Sequence, residues 1–392
     1  MTPKGFLFST EEAAIKKPGR KDLALIYSEK DAAAAGAFTT NSVKGAPVRL
    51  CLARISSGRA RAIIANSGNA NVCTGKQGAK DALEMAGLAA KGLGIDENLV
   101  YVCSTGVIGT PLPMERMRPK IRKLAESAGG ASLEDAARAI MTTDTFPKLI
   151  SKTFRISGRE VRIAGIAKGS GMIHPRMATM LCFIMTDLNI GKGLLKKALR
   201  ESVEKSFNRI TVDGDTSTSD TVLMLANGLA GNPSVAAGAK EYKTFRGALD
   251  SMTQEFARMI VKDGEGASKL VEVVIKGAAS AREALQGAFA VARSPLVKTA
   301  ICGNDANWGR IMCALGYSGI KMDEGKVDIS IGGLKIVNKG TATGKDSEAG
   351  RLLSESREIT LVIELHAGLF SEKVLTCDLT EEYVRINAEY RT

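Results

Sequence analysis

The residues that could do chemistry gather around one threonine. Residues 161–187 read VRIAGIAKGSGMIHPRMATMLCFIMTD. A strand-like run, 161–167, leads into a glycine-rich bend, and the chain then passes His174 and Pro175 to reach Ala178-Thr179. Residues 181–185 follow as an apolar run of buried-strand type. A threonine behind a small residue, at the mouth of such a strand, suits peptide self-cleavage. Its hydroxyl attacks the Ala178 carbonyl, water resolves the ester, and Thr179 gains a free α-amino group. That amine, with an ordinary pKa of about 7.7–8.0, can serve as base for the hydroxyl beside it. The plain alternative is a threonine that only opens a strand, since Ala-Thr pairs are common.

Acyl chemistry also needs a place for an oxyanion. Residues 104–109, STGVIG, follow a strand candidate at 100–103 and offer the Thr105 hydroxyl and the backbone N–H of Gly106, where no side chain blocks approach. Read plainly, the same residues make a turn with a satisfied threonine. The glycine-rich stretches 168–171 and 340–345 complete neither a phosphate loop nor a dinucleotide fingerprint, which favours tight turns over a nucleotide site.

Composition narrows the chemistry further. Two histidines leave almost no material for a Ser-His-Asp triad or a multi-histidine metal site. The seven cysteines are odd in number and form no CxxC pair, so reduced, buried thiols are expected rather than zinc or disulfides. The formal net charge is +12, but aromatics are 5% and the cations are scattered, a poor match to a nucleic-acid surface. The densest basic cluster, 113–123, reads as a solvated helix face. No apolar stretch reaches eighteen residues, and the first 22 residues have no signal-peptide core; the expected location is cytoplasmic.

Strand and helix signals interleave along the 392 residues, which predicts a sheet-plus-helix protein, either layered α+β or α/β. Strands are expected at 61–65, ending in the turn-rich 66–71, and at 100–103, 161–167, 181–185, around Val327-Ile329-Ile331 and at 359–365. Helices are expected at 79–93, at 132–141 opened by Ser132 and Asp135, and at 193–207. Phe245, Leu249, Met252, Phe256, Met259 and Ile260 keep a three-four rhythm, the core-facing stripe of one more helix. The tail 384–392 reads either as an edge strand or as part of a ligand pocket.

These segments together resemble the ornithine acetyltransferase family, the bifunctional glutamate N-acetyltransferases of arginine biosynthesis. The resemblance spans essentially the whole chain. It is carried by GRKDLALI (19–26), NSGNAN (66–71), CSTGVIG (103–109), MTTDT (141–145) and AKGSGMIHPRMATML (167–181). TVDGDTSTSDT (211–221), KDGEGASK (262–269), GNDANWGRI (303–311) and the ending YVRINAEYRT complete it, with the ATML junction the most specific.

The resemblance implies a self-cleaving, N-terminal-threonine-nucleophile fold cut between Ala178 and Thr179, giving chains 1–178 and 179–392. Thr179 is then the nucleophile, and Thr105 and Gly106 form the oxyanion hole. Substrate contacts fall to Thr142 (or its neighbour Thr143), Lys168, Thr179, Glu265, Asn387 and Thr392. An acetyl group passes from N2-acetylornithine to glutamate without metal or cofactor. The two-function members would also draw on acetyl-CoA, and a heterotetramer of two chains of each kind is implied, with no nucleic-acid or membrane partner. Ser268 and Ala306 depart from the family pattern, which often has threonine at both; Ser268 keeps a hydroxyl and Ala306 does not. The rival readings are a threonine-nucleophile amidohydrolase or aminopeptidase, in which water resolves the acyl-enzyme, and a basic nucleic-acid-binding module.

Overall fold

The computed structural model describes residues 1–174 and 180–389; the Ala178–Thr179 junction and Thr392 lie outside the described residues. The chain forms two compact units. The first comprises Met1–Gly169, Arg176–Asn208 and Thr216–Ala257, the second Ser170–Pro175, Arg209–Asp215 and Arg258–Thr392.

An eight-stranded sheet builds the first unit: β1 (Phe6–Glu11), β2 (Leu23–Phe38), β3 (Arg59–Asn69), β4 (Val100–Val107), β5 (Lys148–Ile156), β6 (Arg159–Lys168), β7 (Leu181–Thr186) and β8 (Thr221–Ala226). Its order is β4-β3-β2-β8-β7-β6-β5, with β1 also paired to β2. Side chains alternate across a strand, so each strand feeds two cores. Leu23, Leu25, Ala62, Ile64, Val100 and Val102 share one core with the helices Gly75–Leu93 and Met114–Glu126. Ala24, Ile26, Ile63, Ala65 and Phe183 share the other with the helix Leu133–Ala139. β7 and β8 are buried at every position and pair in parallel, which is why both read as unbroken apolar runs.

The second unit holds β9 (Leu270–Ala278), β10 (Asp328–Ile331), β11 (Leu334–Asn338), β12 (Thr341–Ala342), β13 (Glu358–Glu364) and β14 (Phe370–Cys377). Their order is β12-β11-β10-β13-β9-β14, and only β13 and β9 run parallel. Helices Ala281–Arg293 and Trp308–Gly316 pack on this sheet through small and branched residues such as Ala284, Ala288, Val291 and Leu315. Antiparallel pairs dominate both sheets, so the α+β expectation holds.

Several local expectations hold as well. Ser132 and Asp135 form a reciprocal capping box, and Phe245, Leu249, Met252, Phe256 and Ile260 are buried on the helix Lys240–Lys262, while Met259 of the same stripe is half-buried. On the helix Met114–Glu126 the apolar Met117, Ile121 and Leu124 are buried while Arg116, Arg122 and Lys123 are exposed. Other expectations fail. Asn66 to Asn69 continue β3 instead of turning, because their polar side chains find buried partners: Asn66 donates to the Asn69 carbonyl within the strand and Ser67 to the Ala139 carbonyl of the helix Leu133–Ala139. The tail is a helix, Glu381–Ala388, not an edge strand. All seven cysteines are free thiols, but burial holds for only four of them: Cys73 and Cys313 are exposed and Cys302 is half-buried, against the expectation. Among the described residues no helix is long and apolar enough to cross a membrane, and no group of three residues could hold a metal ion.

Candidate active site

In the first unit the strand ends assemble the site. β6 ends at Lys168, which pairs with Leu181, the opening residue of β7. Lys168 therefore stands where the chain enters β7, two positions after Thr179. Its side chain is 2% exposed. The ammonium donates to the Thr142 hydroxyl at 2.7 Å and to the Thr105 hydroxyl at 3.4 Å. Thr142 thus brings a hydroxyl of the TTDT segment to Lys168.

A buried ammonium needs a counter-charge, and Asp144 supplies it. Its carboxylate lies 3.9 Å from Lys168 Nζ, accepts from Lys148 Nζ at 2.8 Å, and accepts the N–H of Gly169 at 2.7 Å and of Thr142 at 3.0 Å. The Asp144 and Lys148 side chains are fully buried. Burial alone would raise the Asp144 carboxyl, but Lys168 and then Lys148 pull it down to about 2. The acid is ionised at neutral pH, and the cluster holds two cations around one carboxylate.

Thr105 and Gly106 lie on β4, beside Ser67 and Gly68 of β3, where the register breaks at Gly68-Asn69. Gly106 has φ of +135°, and an added Cβ would come within 2.3 Å of the Gly68 carbonyl carbon. Only glycine fits. The NSGNAN stretch braces this strand end. Ser104 Oγ donates to Asn66 at 2.6 Å, Asn66 Nδ2 donates to the Asn69 carbonyl at 2.8 Å, and Asn69 Nδ2 donates to the Thr110 carbonyl at 2.9 Å. Thr105 is 2% exposed, so its hydroxyl is a preset buried group rather than part of a surface turn.

The second unit carries the other expected residues. Glu265 is 8% exposed, and Asn387 Nδ2 donates to its Oε2 at 2.9 Å. A Cβ on Gly171 would lie 2.3 Å from the Glu265 carboxyl carbon, so the acid occupies space that glycine leaves open. Asp213 accepts the N–H of Met172 at 2.5 Å and of Ile173 at 2.9 Å, and Tyr383 donates to it at 3.3 Å. Ser268 uses its hydroxyl to donate to Asp378 at 2.5 Å. Ala306 is buried in the apolar core of this unit, where a hydroxyl would have to be satisfied.

The structure thus brings Thr105, Gly106, Thr142 and Lys168 to the strand ends of the first unit, and Glu265 and Asn387 together in the second. Sequence reasoning passed over Asp144, Lys148, Asp213 and Asp220. Their signal was acids inside small or hydroxyl-bearing stretches and a lysine in the apolar run Phe146-Pro147-Lys148-Leu149-Ile150, where a charge must have a buried partner.

Fold and cluster define an α+β enzyme with buried hydroxyls arrayed around a lysine. The sequence profile of the ArgJ family matches residues 7–392. The chain is 51% identical to the arginine biosynthesis bifunctional protein ArgJ of Geobacter sulfurreducens, over 100% of both chains. It is 50% identical to that of Symbiobacterium thermophilum, over 100% of this chain and 98% of the relative. The crystal structure of the ArgJ protein of Bacillus halodurans superposes with a TM-score of 0.51 at 45% identity, covering 53% of this chain and 97% of that one. The chain belongs to the ArgJ family.

Proposed function

We propose that this ArgJ-family enzyme moves an acetyl group from N2-acetylornithine to glutamate in arginine biosynthesis, through an acetyl ester on Thr179. The observation that carries the reading is the meeting of Lys168 with the Thr142 and Thr105 hydroxyls where β6 hands over to β7. A sheltered cation and preset hydroxyls at that place suit an anionic ligand group and a developing oxyanion.

In this reading the Thr179 hydroxyl first attacks the Ala178 carbonyl and the peptide C–N bond gives way to an ester, which leaves the Thr179 nitrogen as a free amine; water then hydrolyses the ester, releasing the Ala178 carboxylate and restoring the hydroxyl. The free amine then takes the Thr179 hydroxyl proton as the oxygen attacks the acetyl carbonyl. Thr105 and Gly106 donate to the oxyanion, and the proton passes to the departing nitrogen of ornithine. Glutamate enters, its amine attacks the ester, and the hydroxyl is restored. Lys168 and Thr142 suit the α-carboxylates of both amino acids, and Glu265 the side-chain ammonium of ornithine, with Asn387 and Thr392 completing the contacts. The finer expectations stand with this proposal: two chains, 1–178 and 179–392, in a heterotetramer, a cytoplasmic location, and acetyl-CoA as a further donor.

Intact mass and N-terminal sequencing of the purified protein, with an acetyl-transfer assay, test the reading. It requires a fragment starting Thr-Met-Leu-Cys-Phe, and acetylglutamate formed faster than free acetate. A single uncut but active chain, or acetate as the main product, would overturn it.

A further inference from the structure

The stretch TVDGDTSTSDT gives no residue to the proposed catalytic set, yet Asp220 within it has no exposed surface. Asp220 stands directly before β8, whose first residue, Thr221, pairs with Leu181 of β7. Just before that pair, Met180 is held at both of its backbone groups. The Thr221 N–H donates to the Met180 carbonyl at 3.0 Å, and the Met180 N–H donates to Asp220 Oδ1 at 3.1 Å. A side chain here does the work of a ladder carbonyl. The acceptor is itself anchored: the Asp220 carbonyl accepts the N–H of Thr39, next to the end of β2, at 3.0 Å. Thr39 in turn donates its hydroxyl to the Ser217 carbonyl at 2.6 Å.

The N–H that Asp220 holds belongs to the peptide group joining residues 179 and 180. Peptide groups are planar, so fixing this N–H fixes the plane through which the chain leaves Thr179. We propose that Asp220 is a positioning residue for the nucleophile: it pins the 179–180 peptide to the head of β8 and so sets the line along which the Thr179 hydroxyl meets a carbonyl. This rests on Thr179 being the nucleophile. Burial raises the Asp220 carboxyl well above the usual range, and its Oδ2 has no hydrogen-bond partner among the described residues. The contact to Met180 asks only for an oxygen acceptor, which an amide also provides.

The test compares wild type, Thr179→Ala, Asp220→Asn and Asp220→Ala by the rate at which the fragment beginning at Thr179 appears, below each variant's melting temperature. Asparagine keeps the oxygen that Met180 uses and should cut within a few-fold of wild type. Alanine should slow cutting by roughly a hundredfold, the scale of losing alignment at a reacting group. A merely structural role would lower the melting temperature and leave the cutting rate of the folded protein unchanged. A folded Asp220→Ala chain that cuts at the wild-type rate overturns the inference. Should the alanine chain not fold, a folded Asp220→Asn chain that stalls overturns it equally. An uncut wild type, or a Thr179→Ala chain that still cuts, removes the nucleophile reading itself, a result distinct from either.

Discussion

Lys168 and Thr142, 26 positions apart, meet at 2.7 Å inside the first unit, and Asp144, two residues after Thr142, is what makes that meeting affordable. The TTDT segment therefore brings a hydroxyl to the lysine and a carboxylate to neutralise it.

The buried ion cluster should govern stability as well as activity. Asp144→Asn leaves Lys148 and Lys168 without their carboxylate, and losing one partner of a buried pair costs about 3–5 kcal/mol. The pH dependence has a definite sign. The folded carboxyl titrates at about 2, below its ordinary 3.8. Its stabilisation is therefore complete above the unfolded value and is lost as pH falls through the folded one. The gap in stability between wild type and Asp144→Asn should stay constant from pH 7 to about 5 and narrow below about 4. Denaturant melts across that range check it; a gap that widens in acid would mean Asp144 is not the ionised partner.

Thr105→Ala should slow turnover at saturating N-acetylornithine far more than it raises the Michaelis constant. Loss of one oxyanion donor costs about 2.7–4 kcal/mol in the transition state. If the Michaelis constant alone rises, the hydroxyl contacts the ground state and the oxyanion assignment fails.

Thr179→Ala should remain one chain without transferase activity, while Thr179→Ser should cut slowly and keep some. Serine retains the hydroxyl but lacks the methyl that restricts its rotamers. Gel analysis of both variants, alongside transfer assays, is enough; normal processing of the alanine chain would point to an outside protease.

Asn387→Ala removes the donor to Glu265 Oε2 and should weaken N-acetylornithine binding while leaving self-cleavage intact, since cleavage needs no external substrate. Deleting residues 388–392 should act in the same direction on both amino acids. Unchanged Michaelis constants would reduce the C-terminal helix to a structural role.

Much of this was legible before the structure, for a physical reason. β7 and the stripe from Phe245 to Ile260 are buried by their own periodicity, and the Ser132–Asp135 cap is local, so short-range patterns carry them. NSGN was misread because turn residues and strand residues with buried polar partners look alike in composition; only contacts such as Ser67 Oγ to the Ala139 carbonyl, 72 positions away, tell them apart. Asp144 and Asp220 were missed for the same cause. What makes each matter is a partner that only the folded sheet provides, Lys168 for one and the Met180 N–H for the other.

The strand order has a consequence for the life history of the protein. In β4-β3-β2-β8-β7-β6-β5, the two strands that follow residue 179 lie in the interior, with strands from before residue 178 on either side. The cut proposed there would turn an internal segment into a new terminus without opening an edge, so the sheet would take over the role of the lost bond. The uncut chain would fold as one molecule, at a rate independent of its concentration. A cut protein, once unfolded, would have to find its other half by collision, and its recovery would become second order. Under the proposal, then, cutting after folding would make the assembled sheet a state that dilution after unfolding does not readily restore.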